Sequence, residues 1–487
     1  MSSEIALFMQ YCRRKRQNPA MSQLNEAIAR YHKILESEPY RDLSWVKELQ
    51  ASMEAQQLSS GGRLLCPFLR PNFVTQRQYD TLVKAGEALL SANYRMQGIA
   101  LGSPALLSKL ELLPAEKMLA AIDPGYSIPE VSSKLDLQIT NSSLHITQYT
   151  SDSPTGVAYS ENLAELFYES PPVKEFRRKY NLTRTGGKKP FLAALLAAYE
   201  QFAASKRATS NGNGHHANGN GKVLRPNIAL IEFRNPSRKS EFELFRDYFR
   251  SEGYQTEIVS PEQLDFRTGK LRAGSFNIDL VYRRFNVQEF LVRFDLSHPL
   301  VQAYRERKVC VVNSFRSEMA EKRAMLALLT DDVLTAKFPA VERKAVREHV
   351  PWTRMVVPGK TLHGETTIDL LEYITAHRET LALKPNDDSS DEPIFIGEEM
   401  DQASWDKAIR QAQRSPYVVQ ERVETTRTLF PLMSYGHLEF REMNVDVHPQ
   451  AFLGKVAGCS SWLSASGTGG FSTSAGIAPT FIIDAKS

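Results

Sequence analysis

The stretch that decides the reading runs from Leu381 to Val423, LALKPNDDSSDEPIFIGEEMDQASWDKAIRQAQRSPYVVQERV. It opens on an apolar, strand-like run carrying one lysine, Leu381-Ala382-Leu383-Lys384-Pro385-Asn386. The polar loop from Asp387 to Pro393 follows, and Ile394-Phe395-Ile396-Gly397 closes a hairpin. Trp405, Ala408, Ile409 and Ala412, spaced by three and four, predict an amphipathic helix. Pro416-Tyr417-Val418-Val419-Gln420-Glu421-Arg422-Val423 ends the stretch as a second strand. A lysine on a buried strand, a closing hairpin and a strand ending in Gln-Glu-x-Val suit a nucleotide. Lys384 meets a phosphate as a point charge. The last strand offers its backbone to an adenine edge, and Glu421 accepts from a ribose hydroxyl. An ordinary α/β hairpin with a surface lysine is the competing reading, and these residues leave both open.

Around this stretch lie 487 residues, room for about two to four domains. An apolar fraction of 42% and a charged fraction of 24% are those of a soluble globular chain. The net charge of +4 requires neither nucleic acid nor a membrane as partner. Cys12, Cys66, Cys310 and Cys459 are widely spaced and form no CxxC, so neither a zinc site nor a disulfide framework is expected. No apolar run approaches the roughly 18 residues of a membrane span. Ile5 to Met9 precedes a basic run, the wrong order for a secretory signal. These points set the expectation of a cytoplasmic protein with reduced thiols.

Two helical faces open the chain, Leu24, Ile28, Tyr31 and Leu35, then Trp45, Leu49 and Met53. The run Arg13-Arg14-Lys15-Arg16 reads as a solvated helix face. Helical patterns recur over Gln78 to Asn93 and Leu106 to Ala121, and Asp123-Pro124-Gly125 is a turn. Leu135 to Ile139 and Leu144 to Thr150 alternate as a hairpin. Helices are expected near Ser160 to Glu169, Val173 to Tyr180 and Pro190 to Ser205. The Asn/Gly/His tract from Ser210 to Gly221 has no apolar period, and its His215 and His216 read as exposed rather than metal-bound. Strands at Ile228 to Ile231, Gly253 to Val259, Ile278 to Tyr282 and Val309 to Asn313, with a Phe242/Phe245/Phe249 helix between, predict βαβ units and a parallel sheet. No G-x-G-x-x-G is present, so no dinucleotide site is indicated. A helix carrying Lys322 follows Asn313-Ser314-Phe315, and a lysine near a helix start is a candidate phosphate contact.

With these pieces in place, the chain resembles the circularly permuted ATP-grasp family, relatives of the glutathionylspermidine synthetase type, from about Leu69 to Ile483. The resemblance rests on Tyr282-Arg283-Arg284, Val311 to Phe315, Pro351-Trp352-Thr353-Arg354, Leu383 to Asp387, Val418 to Val423 and Pro479-Thr480-Phe481. It implies an α+β fold in which two halves clamp ATP. The implied layout is a helical region over 1–120, a metal-side part over 121–208 and a linker over 209–222. A small parallel α/β domain over 223–315 and a nucleotide-binding part over 316–487 complete it. The family's chemistry phosphorylates a carboxylate with ATP and Mg²⁺, and an amine attacks the acyl phosphate.

By resemblance, Lys322 and Lys384 are the phosphate lysines, Asn386 and Asp387 lie beside them, and Gln420, Glu421 and Val423 form the adenine hinge. Lys134 and Arg354 are the catalytic cations, and Asp136, Gln148 and Thr150 stand at the metal positions. Three departures bear on activity. Gln148-Tyr149-Thr150 replaces a Glu-x-Asn metal pair, and Mg²⁺ prefers carboxylate oxygens. Asp388-Ser389-Ser390-Asp391-Glu392-Pro393 replaces a glycine-rich loop whose backbone N–H groups would approach phosphates. Trp462-Leu463-Ser464 stands where the family's tail carries Arg before Leu-Ser. Phosphoryl transfer depends on positioning and charge neutralisation, so these changes together predict a large loss of rate. Three functional expectations result. The first is a degenerate family member with weak or lost ligase activity that retains ATP binding or works through a protein partner. The second is an active ligase joining an unknown small-molecule or peptide carboxylate to an amine, with Asp152 or the loop acids Asp388, Asp391 and Glu392 recruited to metal and Asp446 as a further contributor. The third is a scaffold that binds no nucleotide.

Overall fold

The computed structural model describes residues 19–140, 143–152, 154–210, 225–234, 241–387, 391–465 and 475–485. The basic run at 13–16, His215 and His216, residues 388–390 and the Ser/Gly stretch at 466–474 lie outside the described residues.

The fold is mixed α+β. An eight-stranded sheet draws on both ends of the chain, in the order Asn72–Thr75, Gly476–Ala485, Lys455–Ala465, His437–Phe452, Ser132–Ile139, Leu144–Thr150. Tyr180–Arg184 adds to Gly476–Ala485, and Arg427–Ser434 to His437–Phe452. The Gln76–Leu101 helix buries Leu82, Leu89 and Met96 in the large core that this sheet shares with the N-terminal helices. It starts at a capping box, in which Thr75 Oγ1 accepts from Gln78 N at 3.2 Å and Gln78 Oε1 accepts from Thr75 N at 3.0 Å.

A second, parallel sheet is ordered Cys310–Val312, Leu280–Arg283, Ile228–Ile231, Thr256–Val259. Phe242, Phe245 and Phe249 of the Glu241–Ser251 helix are buried beside it, at the spacing their pattern predicts. The decisive stretch folds as read. Leu381–Pro385 pairs with Phe395–Ile396 on one side and with Tyr417–Glu421 on the other, and Thr353–Met355 completes the four strands. Trp405, Ala408, Ile409 and Ala412 cover this sheet from the Gln402–Ala412 helix.

Several boundaries differ from expectation. The segment Leu106 to Ala121 is two short helices, Pro104–Ser108 and Pro114–Ala120, because Pro114 cannot continue a helix. Tyr180 belongs to a strand, not to the preceding helix, which ends at Phe176. The Ile278 to Tyr282 run is divided at Asp279. Ile278 ends a three-stranded antiparallel sheet of Leu264–Arg267, Lys270–Ala273 and Phe276–Ile278, while Leu280 begins the parallel strand. The Lys360–His363/Thr366–Asp369 hairpin lacks an apolar face and gave no sequence signal.

Candidate functional site

The Ser132–Ile139/Leu144–Thr150 hairpin, the long His437–Phe452 strand and the Leu381–Pro385/Tyr417–Glu421 pair converge. Alternation along Leu381–Pro385 puts Leu381 and Leu383 into the core with Tyr417 and Val419, and leaves Lys384 half-buried on the other face. There Lys384 Nζ donates to Gln420 Oε1 at 2.7 Å. Gln420 Nε2 in turn donates to Thr353 Oγ1 at 3.1 Å and to the Thr147 carbonyl at 3.4 Å. The expected nucleotide side is therefore stitched to the expected metal side by a glutamine.

On the hairpin, Lys134 Nζ lies 3.0 Å from Asp136 Oδ1, and His448 Nε2 lies 3.4 Å from the same oxygen. Burial works against the Asp136 charge, but Lys134, His448 and Arg323 together hold its carboxyl below the usual range. Burial and the Asp136 charge push the neighbouring Asp446 up to about 6, and Gln138 Nε2 donates to it. Burial, with Lys134, lowers His448 to about 4. Gln148 Oε1 accepts from Arg323 Nη2 at 2.9 Å. A divalent cation here would need carboxylate oxygens. The side chains present instead place the lysine and arginine charges against Asp136 and Gln148. Among the described residues no group of three His, Cys, Asp or Glu side chains is arranged to hold a metal. This donor set does not fit Mg²⁺. Introducing the acid at position 148 should not repair it, because Arg323 would pair with the new carboxylate. Gln148→Glu combined with Thr150→Asn is expected to leave the melting temperature indifferent to added Mg²⁺. A Mg²⁺-dependent rise in the variant alone would show these positions to be displaced ligands.

Lys322 lies in a second cluster. It caps the turn between Glu318–Glu321 and Arg323–Leu329 and is almost wholly buried. Its Nζ contacts Glu318 Oε1 at 2.7 Å, Glu116 Oε1 at 3.2 Å and Asp387 Oδ1. Burial opposes the ammonium charge, but Glu318, Asp387 and Glu116 outweigh it and hold its pKa above that of an ordinary lysine. Asp387 also accepts from Gln288 Nε2 at 2.6 Å. Asn386 is spent on backbone, accepting from Ala324 N at 2.8 Å and donating to the Leu110 carbonyl at 2.9 Å. Asp152 is fully buried against Arg283 and accepts from Val287 N at 2.7 Å, so it is not turned toward the Asp136 cluster as a recruited ligand would be.

The hinge is likewise occupied. Glu421 N donates to the Trp352 carbonyl at 2.9 Å and Arg422 N to the Thr380 carbonyl at 2.9 Å. Glu421 Oε1 lies 2.8 Å from His363 Nε2 on the unforeseen hairpin. Val423 lies beyond the strand, half-buried. Arg354 donates to the carbonyls of Thr353 at 2.7 Å, Leu362 at 3.1 Å and Thr330 at 3.2 Å, a tie between strands. A triphosphate at Lys322 would meet three carboxyl groups, and like charges repel. The phosphate side does not fit ATP as it stands.

The structure thus brings together Lys134, Asp136, Gln148, Lys384 and Gln420, and sets Lys322, Asn386 and Asp387 in a separate buried knot. Thr150 is buried opposite Lys134 in the hairpin register. His448 and Arg323 were missed. His448 was legible, since Asp446 and His448 alternate onto one strand face, whereas nothing local marks Arg323.

No family model matches the sequence, and no curated protein matches it. Among solved structures, the fold is similar to that of the apo form of a glutathione synthetase-like effector, GSS30, from Globodera pallida. The TM-score is 0.52 at 11% identity, over 96% of this chain and 98% of that one. A candidate gamma-glutamylcysteine synthetase from Methylobacillus flagellatus KT aligns over 82% of this chain and 85% of its own, with a TM-score of 0.36 and 11% identity. A RimK domain ATP-grasp protein from Sphaerobacter thermophilus DSM 20745 aligns over 52% and 89%, with a TM-score of 0.26 and 14% identity. The fold comparison rests on the first, whose overall fold this chain shares over nearly its whole length.

Proposed function

We propose that the chain is a circularly permuted ATP-grasp protein that keeps the scaffold of carboxylate–amine ligases with weak or lost ligase activity, and that it works by binding. Support for the permutation comes from the large sheet, which joins the residue 132–150 hairpin to strands at residues 437–485. The observation that carries the functional reading is Lys322, the expected phosphate lysine, neutralised by Glu116, Glu318 and Asp387 inside the protein. The metal side points the same way, with Lys134 on Asp136 and Arg323 on Gln148. Phosphoryl transfer requires charge neutralisation at the phosphates, and Lys322 and Lys134 are already committed to internal acids, Arg323 to an internal amide.

The test is ATP turnover by the full chain with Mg²⁺, across a panel of carboxylates and amines. Turnover is expected at the protein-free background, and the same in Lys384→Ala. Mg²⁺-dependent turnover that Lys384→Ala abolishes would overturn the reading and restore an active ligase.

A further inference from the structure

The charge of this chain is concentrated. Between Tyr168 and Lys189 there are seven basic and two acidic side chains, a net +5, while the whole chain carries +4. The rest is close to neutral, so this segment sets the sign of the protein's field on its side. The Pro171–Phe176 helix ends on Phe176, whose ring stacks on Phe73 at 5.0 Å and on Tyr180 at 4.6 Å. The chain then turns back as Tyr180–Arg184 along the C-terminal strand, with Arg184 opposite Phe481. That register returns Arg184 to the ring of Tyr168, at 4.5 Å, where Arg177 already lies at 3.4 Å. A pocket of about 350 Å³ opens between these elements, lined by Lys174, Arg177, Arg178, Asn181 and the rings of Tyr168 and Tyr180.

We infer that this pocket binds a ligand carrying two or more closely spaced phosphate groups. A guanidinium held over a ring loses little freedom on binding, and its fork matches phosphate oxygens in pairs; Arg177 spends one Nη1 bond on the Tyr168 carbonyl at 3.4 Å and keeps its other N–H groups. Among the described residues neither Arg178 nor Arg184 forms an ion pair, and both are exposed. Lys174 pairs with Glu169 at 3.0 Å, but both are more than half exposed and water screens the contact. Basic residues at a helix C-terminus also offset its dipole. That accounts for Lys174 and Arg177, while Arg178 also lines the pocket and Arg184, on the next strand, lies over the Tyr168 ring and near the Glu169 carboxylate. Single-stranded nucleic acid is disfavoured, since it needs open aromatic faces for its bases. Here Tyr168 is covered by guanidinium groups and Tyr180 by Phe176. The pocket shares no residue with the Lys322 or Asp136 clusters, so the inference stands apart from the ligase reading.

The experiment is calorimetric titration of the full chain with sodium tripolyphosphate, alongside the double variant Arg178→Glu/Arg184→Glu and the control Lys344→Glu, an exposed lysine elsewhere. Unchanged melting temperatures certify the variants as folded. Binding is expected to fall at least about tenfold in the double variant and to persist in the control. Two further arms use phosphatidylcholine vesicles doped with phosphatidylinositol bisphosphate and a single-stranded oligonucleotide. Vesicle binding lost in the double variant supports the site and makes the source a lipid headgroup. Tripolyphosphate binding without vesicle binding supports it with a free phosphate compound as source. The inference is overturned by no tripolyphosphate binding, by equal loss in the control, or by oligonucleotide binding that survives the double variant.

Discussion

Lys322→Ala is expected to destabilise the protein by roughly 3–5 kcal/mol, the usual cost of removing one partner from a buried ionic cluster. The ammonium is the cation that Glu318, Glu116 and Asp387 share at the core of the molecule. Those three acids come from the residue 114–120 helix, the 318–321 helix and the loop after the 381–385 strand, so their repulsion would loosen three parts of the fold at once. Chemical denaturation at neutral pH measures the loss. Adding Glu318→Gln to the Lys322→Ala background should recover part of it, because one acid is then neutral. A lysine that serves only a phosphate would behave otherwise. Its removal would leave stability unchanged, and neutralising Glu318 would rescue nothing.

Glu130→Gln should do the reverse and stabilise the protein, in a pH-dependent way. Glu130 is 4% exposed and its Oε1 has no hydrogen-bond partner among the described residues. Burial pushes its carboxyl from 4.5 up to about 7, and Gln97 and Arg316 counter this only in part. A folded-state pKa above the unfolded one means that the folded chain holds the proton more tightly. Its contribution is complete below the unfolded value and is lost as pH rises through about 7. A shift of that size corresponds to up to about 3 kcal/mol. The variant should match the wild type near pH 4 and exceed it increasingly up to pH 8. A constant offset across that range would show that the fold leaves the Glu130 carboxyl at its unfolded-state value.

The strands and helices of the 381–423 stretch were legible because their apolar periods, two and then three to four, match how each element is buried. The residue 132–150 hairpin and the parallel strands were legible for the same reason. Tyr180–Arg184 was not, since its burial pattern is mostly exposed and its strand character comes from pairing with Gly476–Ala485, about three hundred residues later in the chain. The site divides in the same way. Lys384 and Gln420 could be named from the local pattern and Asp136 and Gln148 from the family resemblance, and the structure gathers them. What surrounds Lys322 could not be read. Glu116 is 206 residues away in sequence and Asp387 is 65, and no local pattern encodes which distant acids a lysine meets. The sequence's departures at residues 148–150 and 388–393 raised the question of lost chemistry. On the proposed reading, the internal pairing of the remaining cations is the physical cause of such a loss.

The most direct test is calorimetric titration of the full chain with a non-hydrolysable ATP analogue, with and without Mg²⁺. If the phosphate and metal positions are neutralised from within, binding is weak or absent and indifferent to Mg²⁺. Tight binding that requires Mg²⁺ would contradict the account, because the knot around Lys322 and the Lys134–Asp136 pair would then have to open to receive it.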